Sequence, residues 1–253
     1  MKNINITPIT KHLSVRFSNR SVQLPRAVQE KVDAYWDAQI VSGKCYTRGE
    51  VFTVTQKSVS DEEINILVEK TDYAHYLYCQ NVDNLGSGGV HIIHTAALVE
   101  TADDYYIVGV MGPQTARSGI IQLCGGGIDN GDLRGDVFDL THNIAKELSE
   151  ELDIDVADTS RVALFEEAFF KEGGPTDKMT VVYRVVLNDT RDAFFKKYTR
   201  FVERLTARGA LPEFGEVIAL KKNKKDSARF FAHEDRVFDE YMKPLFEHIS
   251  AGL

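Results

Sequence analysis

Cysteine is scarce in this chain. Cys45, Cys79 and Cys124 are spread over 253 residues with no CxxC pair. An odd, scattered set builds neither a disulfide framework nor a cysteine zinc site, and it suits a reducing compartment. Long apolar runs are missing too. No stretch approaches the roughly 20 apolar residues of a membrane-spanning helix. The opening "MKNINITPITKHLSVRF" alternates apolar and polar residues, where a secretory signal would need a continuous apolar run. The expectation is a cytoplasmic protein with no membrane partner. Positive charge is in deficit: 30 Lys and Arg against 38 Asp and Glu leave a formal net charge of −8. The electrostatic footprint of a general nucleic-acid binder is therefore absent. A small nucleotide is not excluded, because a bound cation can bridge acid to phosphate.

What is present is a succession of strand and helix patterns. "LSVRFSNRSVQL" and "EVFTVTQKSV" alternate as strands do. Between them Pro25 opens a segment in which Val28, Val32, Tyr35, Trp36 and Val41 recur at helical spacing, and Gly43 suits its stop. "SDEEINILVEKTDYAHYLYCQN" begins with an acidic turn that could start a helix. "NLGSGG" at 84–89 is the strongest boundary signal. After it, "VHIIHTAALVE", "DDYYIVGVMG", "GIIQLC", "VALFEEAFF", "MTVVYRVVL" and "GEVIAL" read as strands, interleaved with helices near 139–152, in "RDAFFKKYTRFVERLTARG" and in the closing "EDRVFDEYMKPLFEHIS". Interleaving of this kind predicts an α/β (α+β) layered domain over 85–253. Residues 1–84 form a small α+β domain or an extension packed against it.

One stretch concentrates acid after glycine: "GGGIDNGDLRGDVFDLTHNIAKELSEELDI", Gly125 to Ile154. Glu147, Glu150 and Glu151 stand at i, i+3 and i+4, within about a 100° arc of a helix. Ile144, Leu148 and Leu152 line the adjacent arc, so that side can pack on a sheet. Like charges at this spacing repel. A bare ExxEE is most simply a solvated face, but such a face is usually mixed in sign, and Lys146 is the only cation in this part of the helix. A hard divalent cation would compensate, taking carboxylate, water and phosphate oxygens. The glycines ahead of the helix let backbone approach a metal or phosphate closely.

This stretch resembles the Nudix box: glycine, five residues, glutamate, seven residues, then Arg-Glu-aliphatic-x-Glu-Glu-x-Gly-aliphatic. Lys146 takes the arginine position, Glu147, Leu148, Glu150 and Glu151 match, Asp153 takes the glycine position and Ile154 matches. "NGDLRGDVFD" is longer than the usual loop and breaks the spacing from glycine to glutamate. Asp132, Asp136 and Asp139 compete for the place of that glutamate. Lysine supplies one charge where arginine would offer a bidentate fork, and Asp153 can adopt the left-handed cap that glycine favours.

The resemblance implies a Nudix-like α-β-α sandwich with a mixed sheet. It implies a Mg²⁺-dependent hydrolase, with Mn²⁺ as a substitute, that cleaves the diphosphate of a nucleoside diphosphate linked to X by water attack on phosphorus. Glu147, Glu150 and Glu151 would hold the metal. The catalytic set would be these three with Lys146 and the late acids Glu213 and Glu216; Glu172 is a further candidate base or substrate contact. Gly126 and Gly127 would touch substrate. "EKTDYAHYLYCQN", the extension and the lengthened loop resemble the Nudix branch that hydrolyses nucleoside diphosphate sugars, making a nucleotide sugar the leading substrate and ADP-ribose the second. Many relatives are homodimers. The alternative is a non-catalytic Nudix-like domain that binds a nucleotide and reports it to a partner.

The remaining features read as structural. His91 and His94 in "HIIH" point to opposite faces of a strand and make no metal pair. "KKNKK" at 221–225 is a solvated turn. Cys124 is a small core residue. Tyr73, Tyr76 and Tyr78 could stack on a base, though packing the extension onto the main domain accounts for them as well.

Overall fold

The computed structural model describes residues 2–44 and 46–251; Cys45 lies outside them. In chain order the elements are β1 (Lys2–Pro8), β2 (His12–Ser21), α1 (Arg26–Val41), β3 (Glu50–Val59), β4 (Glu63–Asp72) and α2 (Tyr73–Asn81). Then follow β5 (Ile93–Glu100), β6 (Tyr105–Met111), β7 (Ile120–Gln122), β8 (Leu133–Arg134), β9 (Val137–Phe138) and α3 (Leu140–Leu152). The last are β10 (Val162–Gly174), β11 (Met179–Leu187), α4 (Arg191–Ala207), β12 (Phe214–Lys221), α5 (Lys224–Phe231), β13 (Val237–Phe238) and α6 (Met242–Ala251).

Two mixed sheets result. The larger runs β1-β10-β11-β5-β6-β7-β13, with β12 along the other edge of β6; β11–β5 and β7–β13 are its parallel pairs. Period-two alternation divides its faces. Ile93, Ala97 and Val99 of β5 and Val181, Tyr183 and Val185 of β11 join Ile144, Leu148 and Leu152 of α3 and Phe194 and Phe201 of α4 in one core. Ala96, Leu98 and Val182 point the other way, onto Phe230 of α5 and Met242, Leu245 and Phe246 of α6. Helices thus cover both faces, as an α-β-α sandwich requires.

The smaller sheet, β3-β4-β2-β9-β8, mixes distant parts of the chain. The hairpin β8–β9 comes from the long loop ahead of α3 and attaches to β2 through Arg16↔Val137 and the Phe17 N–H on the Asp136 carbonyl at 2.8 Å. In return β1 leaves the N-terminal segment and pairs antiparallel with β10. Each segment therefore lends a strand to the other's sheet. Leu13, Val15, Phe52 and Val68 of the small sheet lie in the same core as α3, and the Phe52 and Phe138 rings meet edge to face at 4.7 Å. A separate cluster of Val32, Trp36, Ala74, Leu77 and Tyr78 joins α1 to α2.

Where local pattern and structure differ, tertiary pairing explains the difference. The acidic turn at 60–63 opens a strand rather than a helix. "EINILVEKTD" alternates Ile64, Ile66 and Val68 inward and is held between β2 and β3. The helix starts only at Tyr73, where the Asp72 side chain accepts the His75 N–H at 2.9 Å. Among the described residues no helix is long and apolar enough to cross a membrane.

Phe138 should be a keystone of this exchange, being 3% exposed at the join between the two sheets. Phe138→Ala is expected to lower unfolding free energy by about 3–5 kcal/mol in urea titrations. Val237→Ala, at a side chain 61% exposed, should stay within about 0.5 kcal/mol of the parent.

Candidate active site

The glycine run folds as a turn in which backbone crowding restricts Gly125 to glycine. The Thr95 N–H donates to the Gly126 carbonyl at 3.0 Å and the Ala97 N–H to the Cys124 carbonyl at 2.8 Å, drawing the turn along β5. A Cβ on Gly125 would stand 2.1 Å from the Thr95 oxygen, and Gly125 has φ +149°. A Cβ on Gly126 would stand 2.4 Å from the Glu147 carboxylate. The acid on α3 has thus taken the space a side chain would fill.

α3 is capped at both ends by acids. The Asp139 side chain accepts the His142 N–H at 2.9 Å, and Asp153 closes the helix in the left-handed region at φ 56°, held by Arg204 at 2.7 Å. Between them Ile144, Leu148 and Leu152 are buried, which fixes the acidic stripe beside the glycine turn. Glu151 is 2% exposed and accepts the Gly125 N–H at 3.1 Å. Glu147 is half-buried against Gly126, and Glu150 is exposed. Glu213, on the loop before β12, belongs to the same group. Burial, relieved in part by Lys146 and reinforced by Glu150 and Glu213, pushes the Glu147 carboxyl up to about 7. Burial first, then Glu213 and Glu147, raise Glu151 well above the carboxylate range. Desolvation and Glu150 raise Glu213. These four acids share one field.

The other expected residues fall into place around them or away from them. Lys146 turns from the stripe to the loop, 2.7 Å from Asp129 and 3.5 Å from Asp132. It therefore ties the helix to the loop. Glu216 lies on β12 beside the groove under α4, apart from the acid group. Glu172 on β10 is ion-paired with Lys57 of β3, a tie between the sheets. The carbonyls of Gly126 and Gly127 already accept from Thr95 N–H and from Asn143 Nδ2 at 3.0 Å.

The lengthened loop has a simple register. From Gly126, five residues precede Asp132, so the glycine-to-acid spacing is kept and the break comes after it. Thirteen residues then separate Asp132 from Lys146 where the pattern has seven, and the surplus is the six-residue hairpin 133–138. Asp132 is fully buried, accepts from Asn143 Nδ2 at 2.9 Å and from the Asp129 N–H at 2.9 Å, and faces Lys146. Asp136 pairs with Arg16 at the hairpin turn, and Asp139 is the helix cap. Of the three rival acids, Asp132 alone reaches the box lysine. Asn143, fully buried, links Thr95, Gly127 and Asp132. Its polar identity on the inward side of an amphipathic helix was the available signal for that role.

In front of the turn is a cleft of about 360 Å³. Its lining includes Gly125, Gly126, Gly127 and Glu213, together with Tyr73, Tyr76, Arg117 and Lys178. His91 and His94 have separate surroundings: His91 is 3.7 Å from Asp177, and His94 lies near Thr180 and the Tyr241 ring. Lys221 and Lys222 of the basic run are engaged by the Asp103 carbonyl and Glu100. Cys124 is buried, and burial followed by Glu151 pushes its thiol well up, so it is no nucleophile. Among the described residues no group of three or more His, Cys, Asp or Glu side chains is arranged to hold a metal ion as it stands.

No family model and no curated protein matches this chain. Solved structures do show likeness. The MutT protein from Methanosarcina mazei Go1 is 14% identical at a TM-score of 0.37, covering 64% of this chain and 94% of that one. A NUDIX hydrolase from Nitrosomonas europaea is 11% identical at 0.39, covering 64% and 90%. The Bacillus subtilis pyrophosphohydrolase BsRppH is 9% identical at 0.36, covering 63% and 80%. At such identities and TM-scores, what this site can do rests on its own residues: the box pattern is folded here as strand, glycine turn and acidic helix.

Two outcomes follow from the geometry. Gly125→Ala, which meets backbone, should destabilise more than Gly126→Ala, which meets only the movable end of Glu147; thermal melts of the two variants rank them. His94 is held down to about 3 by burial, then by Lys178, against the pull of Asp239, with Lys171 and Arg117 adding to the fall. The unfolded chain therefore takes up this proton first as pH falls below about 6.5. The His94 contribution to stability is present above that value and is lost progressively toward pH 3. In chelator, the stability of the parent relative to His94→Gln should decline on acidification across that window.

Proposed function

We propose that this chain is a divalent-cation-dependent hydrolase of a nucleoside diphosphate linked to X, with a nucleotide sugar as the first candidate and ADP-ribose as the second. One observation carries the reading. Burial, with their mutual charge and that of Glu150, raises the proton affinity of Glu147 and Glu151 on one helix face and of Glu213 from a distant loop, beside a glycine turn that lines a cleft.

Such a group fits a hard cation by its chemistry. Glu147 and Glu151 are crowded oxygen donors, and the neighbouring lysine is already committed to Asp129 and Asp132. A divalent ion would favour their charged forms, the reverse of what burial does. Glu147, Glu150 and Glu151 would hold it, and the set being incomplete suits an ion that keeps water and substrate phosphate oxygens as ligands. When bound, it would neutralise charge on the diphosphate and lower the pKa of water.

The chain's own groups would do the rest. The Gly125–Gly127 turn, free of side chains, lets a diphosphate lie close to backbone. Glu151 holds the turn through the Gly125 N–H, and Asn143 holds it through the Gly127 carbonyl. Glu213, exposed on its loop and raised in proton affinity, would take the proton of an attacking water at its carboxylate. Mg²⁺, with Mn²⁺ as a substitute, is the ion expected.

A release assay with Mg²⁺ and a panel of nucleotide sugars, ADP-ribose and dinucleotides tests the reading. Mononucleotide should appear, and Glu213→Gln should lower kcat by about 10²–10⁴-fold with KM little changed. Mg²⁺ should also raise the melting temperature of the parent, and less so that of Glu151→Gln. No product from any panel member, together with an unmoved melting temperature, would leave the non-catalytic nucleotide-binding alternative in its place.

A further inference from the structure

β12 forms an open edge of the large sheet. Among the described residues it pairs with β6 alone. In an antiparallel pair, successive residues turn their N–H and C=O to opposite edges of the strand. The Lys222 N–H donates to the Asp104 carbonyl at 2.9 Å, and the register runs unbroken from Glu216↔Val110 to Lys221↔Tyr105. Glu216, Ile218 and Leu220 therefore turn their backbone groups to β6, and those of Val217 and Ala219 face outward. Sheets usually guard such edges with charge, proline or brevity. β13 is two residues long, and β1 carries Lys2, Asn3, Asn5 and Thr7 before its Pro8. β12 instead shows Val217, Ile218 and Ala219 in succession, all partly exposed.

A groove of about 680 Å³ lies between α4 and the first half of β12. Phe195, Tyr198 and Val202 line it from the helix, Phe214 and Val217 from the strand. Val217 and Ala219 pack against the core that holds Phe194 and Phe201 of α4, so α4 covers their face of the sheet. A strand laid beside β12 would continue the sheet beneath α4, and every second side chain would enter the groove. No described residue lines both this groove and the cleft, though Pro212 of the one and Glu213 of the other are neighbours in the chain.

The rim of the groove is acidic. Glu203 of α4 and Glu216 of β12 line it, and no described Lys, Arg or His does. A second copy related by a two-fold axis would set this patch against itself, acid facing acid. A segment with apolar residues at alternate positions and cations at its ends meets the open edge, the apolar floor and the acidic rim together.

We propose that β12 and α4 form a docking site for an extended basic segment of another protein, which joins the large sheet as a further strand. Backbone pairing at Val217 and Ala219 holds it, the groove takes its apolar side chains, and Glu203 and Glu216 select its charge.

Calorimetric titration of the full chain with the blocked peptide KVTVTVK, whose valines share one face, tests the proposal. The peptide should bind, and added salt should weaken it because exposed ion pairs are screened. EVTVTVE, with the end charges reversed, and KVTPTVK, with a proline at its centre, should each bind at least tenfold more weakly. Ala219→Pro removes an outward N–H and spares the ladder to β6. It should melt with the parent and lose at least tenfold in affinity. Should that variant fold poorly, amide exchange on the parent locates the contact: the peptide should slow Val217 and Ala219 and leave Ile218 and Leu220 as they were. Failure of KVTVTVK to bind would overturn the proposal, as would equal binding of EVTVTVE or protection away from β12. A parent that sediments as a dimer, and as a monomer after Ala219→Pro, would assign the edge to a second copy and overturn it too.

Discussion

The close approach of α3 to the glycine turn governs this molecule. The half-buried Glu147 carboxylate occupies space that any side chain at Gly126 would need, and the buried Glu151 carboxylate holds the Gly125 N–H. Packing imposes this arrangement. Ile144, Leu148 and Leu152 fix α3 on the sheet, and a helix so fixed must present its i, i+3, i+4 acids along the adjacent arc. The fold thereby brings Glu147 and Glu151 out of water and against each other's field. A protein that needed only a stable helix could relieve this repulsion with one lysine turned inward. Here the lysine at the start of the stripe is drawn to Asp129 and Asp132 instead.

Asp132 and Lys146 belong to a network that carries the constraint outward. Asn143 joins Asp132 to the turn and to β5. The next residues after Asp132 are the hairpin, which crosses to β2 of the small sheet. The lengthened loop is therefore an attachment: it fastens the N-terminal sheet to the strand–turn–helix that holds the acids. β1, pairing with β10, fastens the opposite end of that segment to the large sheet. An extension anchored at two places can hold α2 in register with the cleft, and Tyr73 and Tyr76 stand along it.

Much of this was legible in the sequence where a local period was strong. The apolar stripe of α3, the alternation of β5 and β11, the proline that opens α1 and the glycines after α1 and α4 all act within one element. The acidic turn before β4 misled because capping chemistry is shared by turns and helices, and β2 and β3 decided the outcome by pairing. The box register was obscured by its hairpin. Five residues from Gly126 to Asp132 were present in the sequence, but nothing local marks 133–138 as the surplus. Glu213 and Glu216 were equivalent on the page, three residues apart. The backbone separates them, because Glu213 precedes the strand and faces the cleft while Glu216 lies within it.

The cluster of Arg117, Lys178 and Asp239 was not legible, for a physical reason. Arg117, Lys178 and Asp239 come from three separate loops, and each alone reads as an ordinary surface charge. Their meeting depends on the parallel pairing of β13 with β7 and of β11 with β5, which no short window contains. Once assembled, they form one ion-paired cluster, with Arg117 and Lys178 on the cleft and Asp239 buried behind them.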